Sequence, residues 1–299
     1  MSTMPLAAVS RRRFLAGVGA TSGAVLLGAC GSTASDGGAP SPTTTGGELS
    51  LVQFFGGVPM LAAGSEVRAP FGVGDSHGLL AVDATPAELE VTIVDAGGAR
   101  VGSPITLTRH AEGLPRAYYP LRFEVAEAGI YTGRVELDGQ SMEMAIKVDA
   151  AADIEVIQAG DRLPSLTLPT ADETRDVDPI CTNDPVCPLH DTTASEVLAA
   201  GRPLALLVAT PAFCQVAICG PVLDVLLGVT DKHPDISFLH AEVYMHPDVN
   251  LDEQAPVVAE LGLAFEPCLV LVGSEGTVVE RIDTIFDAGE LDAVLTRLA

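Results

Sequence analysis

From Leu204 to Ala209 six apolar residues follow one another without a polar interruption. Such a run suits a strand buried on both faces, and Thr210-Pro211 ends it because proline cannot continue a central strand. Cys214 and Cys219 follow in a turn that Gly220-Pro221 closes. Proline is tolerated in the first turn of a helix, so the pattern predicts a helix starting near Cys219 and running to about Thr230, with Val222, Val225 and Leu226 on its apolar side. Elements alternate on either side of this centre. Thr193-Ala-Ser-Glu196 is a capping box ahead of a short helix that Gly201 ends. Asp235 to Met245 reads as a strand, Gln254 to Leu261 as a helix, and Cys268-Leu-Val-Leu-Val272 as a second buried strand. A turn at Gly273-Ser-Glu-Gly276, a strand from Thr277 to Ile282 and a last helix opened by Asp287-Ala-Gly-Glu290 complete the pattern.

Upstream, between Glu48 and about Ala150, the period changes to two. Leu89 to Asp95 is a strand with Ala-Gly-Gly as its turn, and Gly129 to Val148 is a hairpin around Asp138-Gly139. Several short strands without helical periodicity predict a β-sandwich. The stretch from Gly31 to Gly47, made almost wholly of Ser, Thr, Gly, Pro and Ala, reads as a flexible tether.

At 299 residues with 47% hydrophobic content, the chain is long enough for two cores. Its first thirty residues lie outside them. Ser10-Arg-Arg-Arg-Phe-Leu15 resembles a twin-arginine export signal, and Leu27-Gly-Ala-Cys30 resembles a bacterial lipobox, which implies cleavage before Cys30 and lipid on its thiol. The expected organisation is a signal at 1–29, a linker at 30–47, a β-sandwich at 48–150 and an α/β domain at 151–299. The expected address is extracytoplasmic, on the membrane through that lipid. Loss of the signal leaves 13 basic residues against 40 acidic ones, a formal charge of −27. Nucleic acid is excluded as a partner, because a phosphate backbone needs a basic patch. Disulfides persist outside the cytoplasm, so the remaining cysteines are redox candidates.

The order strand, Ala209-Thr-Pro-Ala-Phe213, Cys214, then Gly220-Pro-Val-Leu-Asp224 resembles the active-site segment of the thioredoxin-like superfamily, and Val156 to Pro164 is similar to the entry of its extracytoplasmic members. The resemblance covers about half the chain. It implies a thioredoxin-like α/β fold, with a cis bond at Glu266-Pro267 opening the strand that faces the cysteines. The same resemblance implies thiol–disulfide exchange with a protein substrate: Cys214 attacks, Cys219 resolves, and Pro267 shapes the groove and keeps metal away. No cofactor and no resident metal are expected. This chain departs from the family in spacing, C-x4-C in place of C-x2-C, and carries Phe213 where Trp is common. Positions five apart on a helix point about 140° away from each other, so Cys214 to Ile218 must be loop for the pair to bond. The upstream region resembles immunoglobulin-like domains, with Tyr131 placed like their tyrosine corner.

Other residues stay open. Cys268 is either a third thiol near the site or a buried small hydrophobe. Cys181 and Cys187 form a local disulfide, stay unpaired, or supply a resolving thiol to Cys214. Cys187-Pro-Leu-His190 offers two metal ligands, but no second Cys/His pair stands at zinc-finger spacing. His77 and His110 read as surface residues. Two alternatives to exchange remain. One is a Cu(I)-handling protein using Cys214 and Cys219 with His240 or His246 as a third ligand. The other is a scaffold lipoprotein whose disulfide is structural. A peroxiredoxin-like reading would need Thr-x-x-Cys, and Thr210 is one residue too far from Cys214.

Overall fold

The structure is a computed structural model that describes residues 48–55, 58–214 and 216–298. The export signal, Cys30 and the tether lie outside the described residues. Strands predominate, and no described helix is long and apolar enough to cross a membrane. The described residues form one compact unit.

Among the described residues eight strands precede the first α-helix: β1 (Ser50–Gln53), β2 (Ser65–Asp75), β3 (Gly78–Leu79), β4 (Glu88–Val94), β5 (Ile105–Thr108), β6 (Tyr119–Val125), β7 (Gly129–Leu137) and β8 (Gln140–Val148). They make two antiparallel sheets. In one, β2 pairs with β1, β3 and β6; the other runs β5-β4-β7-β8. Alternation sets which side chains face inward. Met142, Met144, Ile146 and Val148 of β8 are buried while their neighbours are exposed, and they join Phe71, Tyr119 and Leu121 of the other sheet in one core. At the β7–β8 turn both Asp138 and Gly139 have positive φ, 53° and 77°, which a two-residue hairpin turn of matching twist requires. Tyr131 donates its hydroxyl to the Glu127 carbonyl at 2.8 Å.

The rest of the chain contains α1 (Ala194–Ala199), β9 (Leu204–Val208), α2 (Cys219–Leu227), β10 (Ser237–Ala241), β11 (Tyr244–His246), β12 (Asn250–Gln254), α3 (Pro256–Glu260), β13 (Cys268–Val272), β14 (Val278–Asp283) and α4 (Ala288–Leu295). The mixed sheet runs β10-β9-β13-β14, with β10 parallel to β9 and the other pairs antiparallel. Every residue of β9 and β13 is buried, as the uninterrupted apolar runs require. Alternate residues feed the two faces. Ala205, Leu207, Leu269 and Leu271 pack with Val222 and Leu226 of α2 and Leu291 and Val294 of α4. Leu204, Leu206, Val208, Cys268 and Val270 pack on the other side with Val197 of α1 and Val257 of α3.

Two elements differ from expectation. The strand expected over Asp235 to Met245 stops at Ala241, and Gln254, expected to open a helix, pairs instead with Tyr244 in the β11–β12 hairpin. The helix α3 therefore starts at Pro256 and ends at Glu260; just past its C-cap Gly262 has φ +64°, and any Cβ there would run into the Glu155 carbonyl.

The apolar core continues across position 150, joining sandwich residues to Val156, Val257 and Val270. A buried polar joint reinforces it. Arg68 of β2 donates to both carboxylate oxygens of Glu290 in α4 at 2.7 Å and to the Asp283 carbonyl at 2.9 Å, while Tyr118 donates to Glu290 at 2.6 Å. Burial alone would raise the Glu290 carboxyl, yet Arg68 and the Tyr118 hydroxyl hold it down at about 2. Asp287 caps α4 by accepting from the Glu290 N–H, but Glu290 sends its own carboxylate to Arg68 and not back to the cap. His110, read as a surface residue, bonds Asp287 at 2.7 Å across the same joint.

Candidate redox site and its neighbouring cysteine cluster

Strand β9 ends at Val208, and the chain turns through Pro211 and Ala212 to bring Cys214 back over the start of α2. Cys219 is the first residue of that helix, fully buried, while Cys214 in the loop is partly exposed. The two are joined by a disulfide with Cα atoms 5.9 Å apart, inside the range such bonds span. The wider spacing works because α2 begins only at Cys219 and Ala217, with φ 54°, turns the chain ahead of it. The Cys219 N–H, one of the donors a helix start leaves unpaired, donates to the Cys214 sulfur at 3.3 Å.

The Glu266-Pro267 bond is cis. Cys268 pairs in register with Val208, so Glu266 stands beside the end of β9. One oxygen of Glu266 accepts the Thr210 N–H at 2.8 Å and lies 3.6 Å from the Cys219 sulfur. Burial pushes the Glu266 carboxyl up to about 7, against the Thr210 bond that pulls it down. Sequence reasoning passed over this residue. The available signal was an acid next to the proline that opens a buried strand. Glu266 also lines a cavity of about 310 Å³ with Val216, Val243, Tyr244, Leu263 and Phe265. A larger cavity, about 640 Å³, lies at the Arg68 and Arg281 joint and has no cysteine in its lining.

The other thiols lie elsewhere. Cys268 is fully buried and packs on the sheet face opposite α2, among Val208 and Val270, and burial raises its thiol. Cys181 and Cys187 are unbonded and buried, on the α2 side of the sheet. They are gathered with His190 and His240, and the four donor atoms lie within 4.8 Å of one another. Cys187 Sγ is 3.2 Å from His190 Nε2 and 3.4 Å from His240 Nδ1; Cys181 Sγ is 3.7 Å from His240 Nδ1. The His240 ring, a candidate third ligand for Cys214 and Cys219, is occupied by Cys181, Cys187 and the Ala209 carbonyl, and His246 stands at the end of β11. This cluster escaped a search for paired ligands because its fourth member arrives from β10, fifty residues after His190. A histidine inside an apolar strand was the signal. Thr182, next to Cys181, accepts from the Ala212 N–H at 3.1 Å and ties the cluster's loop to the redox turn.

No family model matches the chain, and no curated protein matches it. Among solved structures it is similar to one described as the structure of MTB dsbF in its mixed oxidized and reduced forms, at 22% identity and a TM-score of 0.30, covering 37% of this chain and 89% of that one. Around the cysteines the elements follow in the order β9, α2, β10, β11, β12, α3, β13, β14, α4, with Cys214 in the loop after β9 and Cys219 opening α2.

Proposed function

We propose that this protein is an extracytoplasmic, lipid-anchored thiol–disulfide exchange protein that works through Cys214 and Cys219. The observation that carries the reading is the asymmetry of the pair: an accessible sulfur capped by a helix N–H, and a buried sulfur against a carboxyl group. A substrate thiolate attacks Cys214, forming a mixed disulfide and expelling Cys219 as thiolate, which takes up a proton from Glu266. A second substrate thiolate then attacks the substrate sulfur, so the substrate leaves oxidised and Cys214 leaves as thiolate. Run backward, Glu266 accepts the Cys219 proton, Cys219 attacks the mixed disulfide, and the substrate leaves reduced. The apolar cavity beside Glu266 supplies a surface for an unfolded or extended chain.

The twin arginines before Phe14 and the motif ending at Cys30 support export and anchoring. Strand order β5-β4-β7-β8 opposite β1-β2-β6, with the Tyr131 bond to Glu127, supports an immunoglobulin-like sandwich joined firmly to the thioredoxin-like part.

The full chain is tested with reduced, unfolded ribonuclease as dithiol substrate. Cys219→Ser, activated as a mixed disulfide with a small aromatic thiol, should hand over to ribonuclease and accumulate a covalent adduct, while Cys214→Ser should not. Equal adduct yields from the two variants would end this reading. Cys30→Ala should release the chain from the membrane fraction, and its full retention there would remove the anchor from the proposal.

A further inference from the structure

We propose that Cys181, Cys187, His190 and His240 form a closed tetrahedral site for one Zn²⁺, separate from the Cys214–Cys219 pair. Donor type is the first argument: two thiolates and two imidazoles suit zinc and exclude the hard, oxygen-seeking cations. Geometry is the second. Bonds of about 2.0–2.3 Å to a tetrahedral zinc place neighbouring donors about 3.3–3.8 Å apart. Three S···N separations are 3.2, 3.4 and 3.7 Å, close to such edges, and all four donor atoms lie within 4.8 Å of one another.

The surroundings fit a structural ion. All four ligands are buried, which leaves no open position of the kind a catalytic zinc keeps. His240 Nε2 donates to the Ala209 carbonyl at 3.0 Å, so its proton is on that nitrogen and the Nδ1 lone pair points at the sulfurs. The Cys187 N–H points at the Cys181 sulfur at 3.5 Å. His190 presents Nε2 to Cys187, while its buried Nδ1 has no hydrogen-bond partner in the structure. Binding is balanced: two thiol protons leave to solvent, and the dication with two thiolates and two neutral imidazoles is neutral overall.

The ion would also answer a packing question. Residues 172–192 contain neither helix nor strand, yet Cys181, Cys187 and Leu189 from that segment are buried. Backbone bonds such as His240 N–H to the Leu189 carbonyl lay the segment against β10. A zinc cross-link between three ligands of the segment and one of β10 would hold it there, and through Thr182 it would hold the redox turn that Ala212 belongs to.

The test titrates the reduced full chain with Zn²⁺ alone, against a competing chelator. One equivalent should remain bound, and Co²⁺ in its place should give the intense visible bands of tetrahedral thiolate coordination. Bound zinc should protect Cys181 and Cys187 from alkylation. The equivalent should be lost in Cys187→Ser and His240→Asn and kept in the Cys214→Ser, Cys219→Ser double variant. No bound zinc in the wild-type chain, loss of zinc in the double variant, or a Cys181–Cys187 disulfide in protein prepared with zinc present would each overturn the proposal. The wild-type titration stands even if a ligand variant fails to fold. It also stands apart from the exchange reading, since neither Cys214 nor Cys219 takes part.

Discussion

The Glu266 carboxylate lies 3.6 Å from the sulfur of Cys219 and on the same oxygen accepts the N–H of Thr210. A buried sulfur cannot exchange its proton with bulk water directly, and Glu266 is the acid placed against it. With its carboxyl raised to about 7 by burial, Glu266 changes protonation close to neutrality. The Cys219 thiol loses its proton to the carboxylate form only, so resolution of a mixed disulfide by Cys219 should speed up as pH rises through about 7. In Glu266→Gln that inflection should vanish and resolution should slow on the order of 100-fold. Stopped-flow release of a thiol from the Cys214 mixed disulfide, followed across pH, measures both. An unchanged profile would remove Glu266 from the proton path.

Arg68 and Glu290 are the charged centre of the joint between the sandwich and α4, with side-chain exposures of 7% and 6%. Removing one member of a buried, hydrogen-bonded pair strips the other of its main partner, and Glu290 would be left with Arg122, at 3.2 Å, as its cation, so Arg68→Ala should destabilise the chain by about 3 kcal/mol. Replacing both, Arg68→Met with Glu290→Leu, should recover part of that loss, because no bare charge is left between them. Urea unfolding midpoints of the two variants decide it. A loss below about 1 kcal/mol for Arg68→Ala would mean the joint opens to water.

How much of this could be read along the chain depended on how local each cause was. The strand at Leu204, the capping box at Thr193 and the turn at Asp138-Gly139 are set by neighbours a few residues away, and each stands where the pattern puts it. The thiol turn was legible for the same reason. What the pattern hid was set by distant partners. Gln254 became a strand residue because Tyr244 pairs with it, and the Asp287 cap of α4 receives no return bond from Glu290 because Arg68, 222 positions away, takes that carboxylate. His240 reads as an ordinary strand residue until the loop carrying Cys181, Cys187 and His190 lies against it. Side chains on both sides of position 150 pack together in one core, a contact that no local pattern near that position announces.

His110 and Asp287 should give the stability a pH window. The hydrogen bond to Asp287 raises the His110 pKa against the effect of burial. Its contribution is therefore complete below the unfolded value of about 6.5 and lost as pH climbs through the higher folded one. Burial would raise Asp287, but the bonds from His110 and the Glu290 N–H hold it below its usual value. That contribution is complete above about 3.9 and lost as pH falls through the lower folded value. Both terms are thus complete between about pH 4 and about pH 6.5. The difference in unfolding free energy between wild type and His110→Asn should be largest in that window and shrink as pH rises through the raised folded value of His110. A difference that grows with pH would contradict the assignment.

Zinc, if it clips the segment 172–192 to β10, must appear as stability that depends on metal. An ion that binds only the folded chain adds about 4 kcal/mol when its free concentration is 1,000 times its Kd. For a compact unit of this size each kcal/mol moves the melting point by about 2–4 °C, so chelation should lower the Tm by roughly 10 °C. Cys181→Ser should fall by a similar amount in zinc, and chelator should then cost it almost nothing more, because variant and chelator remove the same cross-link. The loss should also reach the redox turn, through the Thr182 hydroxyl that accepts from Ala212. Faster amide exchange at Ala212 on zinc removal, with β13 unaffected, is the expected pattern. Additive effects of chelator and Cys181→Ser on Tm would mean that the metal acts somewhere other than this cluster.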